Sequence, residues 1–122
     1  MPAKYNLHRA QLQAILRAWG MPEDNAEITA EVLAWADMHG VNSHGISMIP
    51  GYDVLRRNGR VAMDARPKTL PETPVSAVVD GCGGLGHVPA HFAMSKAIEK
   101  AQTVGMAATV VRASALWIGT PN

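Results

Sequence analysis

The sequence predicts an α/β protein with an N-terminal three-helix lobe followed by the start (β-α-β) of a second lobe. Apolar residues recur at helical spacing early in the chain, three prolines interrupt the middle, and β-branched runs flank an alanine-rich helical segment after them. We therefore expect a helical lobe at 1–60, a proline-rich connector at 61–74 and an incomplete α/β lobe at 75–122.

Two amphipathic helices are expected first. Leucine, isoleucine and tryptophan recur at helical spacing in about residues 8–19, and Gly20 follows as a left-handed stop. Pro22 and two acidic residues suit the first turn of a second helix, about residues 22–39, which Gly40 ends. The two helices should pack through their apolar stripes.

A third helix is expected after a short break. Asn42 or Ser43 can cap its start, and it would run towards Asn58 and Gly59. Pro50 is compatible with this helix only in an early turn or at a kink.

The second half of the chain alternates strand and helix patterns. Residues 60–74 hold few periodic apolar positions and indicate an extended connector. A strand at 75–80, a helix at 88–103 and a strand at 106–112 predict the β-α-β unit. Two strands and one helix leave open sheet edges, so we expect this lobe to need more chain.

Composition and charge argue against several classes of protein. The 122 residues carry a formal net charge of +1 without a basic run, so no nucleic-acid partner is expected. No stretch of about 18 apolar residues occurs, so we expect no membrane partner. Cys82 is the only cysteine, which excludes an intramolecular disulfide and suits the cytoplasm.

A glycine-rich loop lies between the first strand and the helix of the β-α-β unit. Gly81, Gly83 and Gly86 satisfy G-x-G-x-x-G, a spacing whose backbone amides can cradle a pyrophosphate. Arg112 stands where the next strand would end in an acidic residue, which would favour a 2'-phosphate. A flexible strand-to-helix turn is the commoner explanation of such a loop.

The second candidate site is a helical face. His44, Met48 and Tyr52 are four residues apart, so a continuous helix would present an imidazole and a phenol together. An imidazole can exchange the proton of a substrate hydroxyl while hydride leaves its carbon. From the spacing alone, a capping or core histidine is the commoner explanation.

Two sets of residues that contain histidine are candidate metal sites. Asp37 with His39 and His44 is one, and the i,i+4 pair of His87 and His91 is the other. Neither includes a complete set of ligands, so solvated histidines at helix ends are favoured and no metal is predicted.

The segment 36–52 reads ADMHGVNSHGISMIPGY and resembles the signature D-x-x-G-V-x-S-H-G, followed by P-x-Y, of the type-2 malate/L-lactate dehydrogenases. Agreement continues in order through Asn58-Gly59, through VDG and GLG in residues 79–86, and through GMA and VVR in residues 105–112. The resemblance covers nearly the whole chain.

The resemblance implies an oxidoreductase that uses NAD or NADP and transfers hydride at the carbon next to the carboxylate of a small 2-hydroxy or 2-oxo acid. It implies a cofactor lobe that is not a Rossmann fold, which argues against the glycine loop as a dinucleotide fingerprint. It places Ser43 and His44 at the catalytic centre, and Tyr52 and the residue at Met48 in the substrate pocket. Many members carry arginine where this chain has Met48, so the substrate anion would need another partner.

A further departure lies near the end of the chain. The eight positions of the family pattern V-R-x-S-x-H-x-G read VRASALWI from Val111, with Leu116 where the second active-site histidine is expected. We expect a truncated or frameshifted chain, or one complemented by another chain, that is inactive alone and forms a homodimer or associates with the missing lobe. The alternative is a non-catalytic remnant or an interaction module that forms homo- or hetero-oligomers through an open sheet edge.

Overall fold

Three α-helices occupy the first half of the chain. The computed structural model describes residues 3–114, where α1 spans Ala3–Ala18, α2 spans Glu23–Met38 and α3 spans Ile49–Arg57. The first two helices confirm the sequence prediction, although α1 begins earlier than the apolar pattern indicated. Gly20 and Gly40 follow them with φ of 95° and 77°, as expected for left-handed stops.

The prediction of one continuous third helix is wrong. Two short 3-10 turns, Asn42–His44 and Ile46–Met48, precede α3, and Gly45 separates them. The backbone of Gly45 (φ −105°, ψ −137°) is far from helical values, so the helical hydrogen-bond ladder cannot pass through it. Pro50 lies in the first turn of α3, where its missing N–H removes no helical hydrogen bond.

The helical core forms where the apolar stripes of α1 and α2 meet. Leu12 and Leu16, one turn apart on α1, are fully buried in the same cluster as Leu33 of α2. This cluster continues past α3 towards the sheet. Its other buried members are Tyr5, Met21, Ala26, Ala30, Ala34, Tyr52, Val61, Met63 and Leu85. One apolar core therefore joins the helices to the segments that precede and follow the first strands.

The second half of the chain forms a three-stranded sheet in the order β1-β2-β3. β1 (Lys68–Thr73) pairs antiparallel with β2 (Ser76–Asp80), and β2 pairs in parallel with β3 (Ala108–Arg112). The helix α4 (His87–Val104) connects β2 to β3, as a parallel pair requires. The predicted β-α-β unit is confirmed.

Sequence analysis missed β1, which lies inside the segment interpreted as an extended connector. The prolines concealed it, because proline cannot donate to a ladder hydrogen bond. Pro71 falls in the register irregularity between Thr69 and Glu72, where pairing with β2 is already interrupted. Pro74 lies in the turn to β2. Both prolines therefore occupy places where a strand tolerates them.

The helix α4 packs between the sheet and α2. It buries Val88 and Ala93, and it ends at Gly105, whose φ of 91° is the left-handed value of a helix C-terminus. Met94 and Ile98 remain more than half exposed on its other side. Across residues 3–114, no helix combines the length and the hydropathy that a membrane crossing requires.

The burial of the helical core predicts unequal effects for one substitution at two sites. Leu33→Ala should lower the free energy of unfolding by about 2 to 5 kcal/mol, because it opens a cavity at a fully buried site. Leu7→Ala, on α1 with the side chain 62% exposed, should change it by less than about 1 kcal/mol. Urea unfolding followed by circular dichroism measures both, and equal losses would contradict this packing.

Candidate functional site

A cavity of about 550 Å³ lies between α2, the two 3-10 turns, α3 and the start of α4. Most of its wall is apolar. The apolar side chains that line it are Val32, Trp35, Ala36, Val41, Met48, Ala90 and Met94. The other side chains are His44, Tyr52, His87 and His91, and Gly86 adds backbone. A small organic molecule fits a cavity of this size and lining.

The three residues of the predicted helical face do line one cavity, although the helix is not continuous. His44 ends the first 3-10 turn, Met48 ends the second, and Tyr52 lies on α3. Ser43 lies beside His44, and Ser43 Oγ is 2.8 Å from His44 Nδ1, a hydrogen-bond distance. Both residues are exposed, so the imidazole at the edge of the cavity is open to solvent.

Asp37, near the end of α2, fixes the segment that carries His44. The backbone N–H of Ile46 donates to Asp37 Oδ2 at 2.9 Å, and His8 Nε2 of α1 lies 2.7 Å from the same oxygen. A Cβ on Gly45 would overlap the Asp37 carboxylate, so only glycine fits between the two 3-10 turns. Sequence reasoning considered Asp37 only as a metal ligand and missed this structural role. The signal was available, since Asp37 and Gly45 are both fixed letters of the signature.

Tyr52 and His87 form the closed end of the cavity. Their rings meet edge to face, with centroids 5.8 Å apart and planes at 84°. Tyr52 is 2% exposed and His87 is 9% exposed. Burial raises the pKa of the Tyr52 hydroxyl to about 12 and lowers the pKa of the His87 imidazole to about 4, so both are uncharged at neutral pH.

The buried position of His87 corrects the expectation of a solvated histidine at a helix end. The side chain begins α4 and turns inwards against Tyr52. Neither Tyr52 Oη nor His87 Nδ1 has a hydrogen-bond partner within residues 3–114. Buried polar atoms without partners are rare in folded proteins, and here two of them belong to residues that line the same cavity. Sequence analysis had no reason to group His87 with His44, since they are distant in the chain.

The two candidate metal sets are not assembled. Asp37 contacts His8, while His39 stacks on Trp35 at 3.9 Å and lies 2.8 Å from its backbone oxygen. His91 is exposed, one turn after His87. In the part of the chain that the structure describes, no group of three or more His, Cys, Asp and Glu side chains converges on a point.

The glycine loop between β2 and α4 uses its amides internally. The N–H of Gly81 donates to the carbonyl of Arg112 at 2.8 Å, and the N–H of Gly83 donates to that of Ala113 at 2.7 Å. Cys82 donates its N–H to Asp80 Oδ1 at 2.8 Å. Amides already paired in this way cannot cradle a pyrophosphate. The loop instead joins the ends of β2 and β3.

The other contacts of the candidate dinucleotide-binding residues are also structural. Arg112 is paired with Asp80 across the parallel strands, with Nη2 and Oδ2 3.4 Å apart. A Cβ on Gly81 would press against Ser114, so the loop requires a small residue there. Gly86 precedes α4 and borders the cavity. The departure at Leu116 falls outside the residues that the structure describes.

Sequence comparison relates most of the chain to one enzyme family. The family described as malate/L-lactate dehydrogenase matches residues 4–118. L-sulfolactate dehydrogenase of Methanocaldococcus jannaschii is 40% identical over 98 residues, which are 80% of this chain and 28% of that protein. Malate dehydrogenase of Pyrococcus abyssi is 37% identical over 100 residues, covering 82% of this chain and 28% of that protein. The chain thus spans little more than a quarter of these relatives.

Solved structures show the same fold. Sulfolactate dehydrogenase from Methanocaldococcus jannaschii superposes with a TM-score of 0.86 at 35% identity, over 90% of this chain and 32% of that one. Delta1-piperideine-2-carboxylate reductase from Pseudomonas syringae superposes with a TM-score of 0.85 at 31% identity, over 93% of this chain and 34% of that one. The arrangement of helices and strands in residues 3–114 is therefore one that longer enzymes contain.

A Cβ added at Gly45 would overlap the Asp37 carboxylate. We therefore expect Gly45→Ala to lower the free energy of unfolding by about 1 to 3 kcal/mol, as overpacking of a filled site does. Gly51→Ala is the matched control, because a Cβ there meets nothing within 4 Å and alanine favours the helix by up to about 1 kcal/mol. In a double-mutant cycle, Asp37→Ala should reduce the cost of Gly45→Ala. Additive effects in that cycle would refute the proposed contact.

The pKa of His87 predicts a pH window for stability. The unfolded imidazole binds a proton below about pH 6.5 and the folded one only below about pH 4, so stability should fall as the pH drops between these values. His87→Phe should remove about 2 to 3 kcal/mol of this pH dependence. Urea unfolding at pH 7 and at pH 4.5 measures the difference. His91→Phe, at an exposed position of the same helix, should leave the pH dependence unchanged; loss of it there instead would mean the wrong histidine had been assigned.

Proposed function

Because the chain belongs to the malate/L-lactate dehydrogenase family, we propose that it supplies the proton-exchanging side of an NAD(P)-dependent dehydrogenase for small 2-hydroxy or 2-oxo acids. The supporting observation is the Ser43–His44 hydrogen-bond pair at the edge of an apolar cavity that Met48 and Tyr52 also line. Since the chain spans about 28% of its curated relatives, we assign the reaction to an assembly that contains the rest of that length.

In this proposal His44 exchanges the proton of the substrate hydroxyl. For Nε2 to accept that proton it must be unprotonated, which places the ring hydrogen on Nδ1. Ser43 Oγ, at 2.8 Å, then accepts the hydrogen bond from Nδ1 and holds this tautomer and ring orientation. Ser43 therefore orients the imidazole and need not act as a nucleophile.

Tyr52 and Met48 are proposed to contact the substrate. The Tyr52 hydroxyl keeps its proton at neutral pH, because burial raises its pKa to about 12, so it can position a substrate but cannot serve as a base. Met48 contributes apolar surface one short segment away from His44. Of the residues proposed for the site, His44 is therefore the one that transfers the proton.

The cofactor proposed for the assembly is NAD or NADP. A nicotinamide would supply the hydride chemistry, which no side chain of this chain provides. The glycine loop does not fit such a group, because Gly81 and Gly83 donate their amides to the last residue of β3 and to the residue after it, and Arg112 is paired with Asp80. We therefore propose that residues beyond those described hold the dinucleotide, and that the 122-residue chain alone is inactive.

The proposed partners are a small carboxylate substrate and either a second copy or the remaining family length. We propose a division of the chain into 1–60, 61–74 and 75–122, in which the middle segment contributes β1 to the sheet. The single cysteine keeps the cytoplasm as the proposed location.

An interaction module is the second candidate. Exposed apolar side chains on α4 and β3 favour it: Ile98 is 52% exposed and Val110 is 60% exposed. β3 is an outer strand of the described sheet, and it pairs with β2 on one side. An exposed strand edge can pair with another chain. Concentration-dependent oligomers together with no catalytic contribution in an active assembly would favour this candidate.

The proton-transfer role predicts a loss of rate without a loss of fold. In a chimera that joins this chain to the remaining length of the Methanocaldococcus relative, His44→Asn should lower kcat about 10²- to 10⁴-fold. The thermal midpoint should move by only a few degrees, because His44 is exposed. Steady-state assays and thermal unfolding measure the two quantities.

His39→Asn is the matched control for that experiment. It makes the same chemical change at an exposed histidine that does not line the cavity, so kcat should stay within about threefold. Turnover that survives His44→Asn to the same extent would rule out His44 as the proton carrier.

A further inference from the structure

We propose that the cavity beside His44 receives an uncharged substrate side chain, so that the site selects 2-hydroxy or 2-oxo acids with a single acid group over those with a second carboxylate or a sulfonate. This inference rests on the proposed function and adds the substrate class to it. It concerns the part of the substrate beyond the reacting carbon.

The lining of the cavity is the first observation. None of the side chains that line it within residues 3–114 is lysine, arginine, aspartate or glutamate. Trp35 and Met94 form part of its wall, and Met48 lies next to the segment that carries His44. A second acid group placed here would lose hydration without gaining a lysine or arginine as a partner, which is unfavourable.

The closed end of the cavity is the second observation. Tyr52 Oη and His87 Nδ1 are buried and have no hydrogen-bond partner in the described part of the chain. Both side chains are uncharged at neutral pH, since burial keeps the phenol protonated and the imidazole neutral. A neutral pair of this kind cannot neutralise an anion.

Lysine and arginine residues that lie close in sequence to the cavity lining contact carboxylates outside the cavity. Several form ion pairs with carboxylates outside the cavity lining. These pairs are Arg56 and Arg57 with Asp53, Arg66 with Asp24, Lys96 and Lys100 with Glu72, and Arg112 with Asp80. Recruiting one of these cations would break an existing pair. The local charge pattern thus agrees with the apolar lining.

The proposal separates this chain from relatives named for dianionic substrates. Malate carries a second carboxylate and sulfolactate carries a sulfonate, and enzymes named for both are among the relatives. We expect this chain to prefer an acid such as 2-hydroxy-4-methylpentanoate over malate.

Methyl-labelled methionine provides the test on the 122-residue chain itself. The methyl signals of Met48 and Met94 report on the cavity, while those of Met21 and Met63 in the helical core are internal controls. Titration with 2-hydroxy-4-methylpentanoate at about pH 8, above the usual range of imidazole protonation, should shift only the first two signals. Its Kd should be at least about tenfold lower than that of malate.

Introducing a cation should reverse the preference. Met48→Arg, followed through Met94, should lower the Kd for malate at least about tenfold more than it lowers the Kd for 2-hydroxy-4-methylpentanoate, while Met48→Gln should not. Met94→Arg, at a 62% exposed position of the rim and followed through Met48, should act in the same direction and guards against loss of folding in the first variant.

Malate binding as tightly as the monoanion, equal effects of arginine and glutamine, or no shift of either reporter with either acid would overturn the proposal. Failure of this proposal can be distinguished from failure of the proposed function. Selective binding by the chain, combined with unchanged turnover of the His44→Asn chimera, would retain the cavity preference and reject the role of His44.

Discussion

The contact between the Asp37 carboxylate and the Gly45–Ile46 backbone is the constraint on which the site depends. It holds the end of α2 against the two 3-10 turns, and through His8 it also connects them to α1. The carboxylate occupies the space of a Gly45 side chain, and the backbone of Gly45 leaves helical geometry at the same point. The break turns His44 to the edge of the cavity and starts α3 anew, with Tyr52 inside the core.

The other side of the cavity depends on the turn between β2 and α4. Backbone hydrogen bonds from Gly81 and Gly83 to the end of β3 and the residue after it hold this turn, and α4 then starts with His87 against Tyr52. The glycine loop, whose spacing suits phosphate binding, therefore connects the ends of β2 and β3 through backbone hydrogen bonds. Its effect on the site is indirect, because it determines where the first turn of α4 lies.

Local patterns were sufficient for α1, α2 and the parallel β-α-β unit, since periodicity and glycine stops describe each of them. They failed where tertiary contacts override the local signal. The helical spacing of His44 and Tyr52 grouped two residues that line one cavity, although the helix between them is broken at Gly45, where a carboxylate of another element occupies the space of a side chain. β1 was missed because an irregular edge pairing tolerates Pro71, and no local signal shows that His87 is buried. The chemical roles of Ser43, His44, Met48 and Tyr52 stay predictions.

The proline within β1 makes the two edges of the sheet unequal in their ability to pair with another strand. β1 is an outer strand of the three described, and Pro71 presents no N–H while Lys68 and Glu72 place charges along the same strand. These features discourage another strand from docking there. The opposite side, along β3, carries the regular N–H and C=O pattern of a parallel strand. Any strand added in a longer polypeptide or by a second molecule should therefore pair with β3. The antiparallel pair of β1 and β2 then remains at the opposite edge of the sheet.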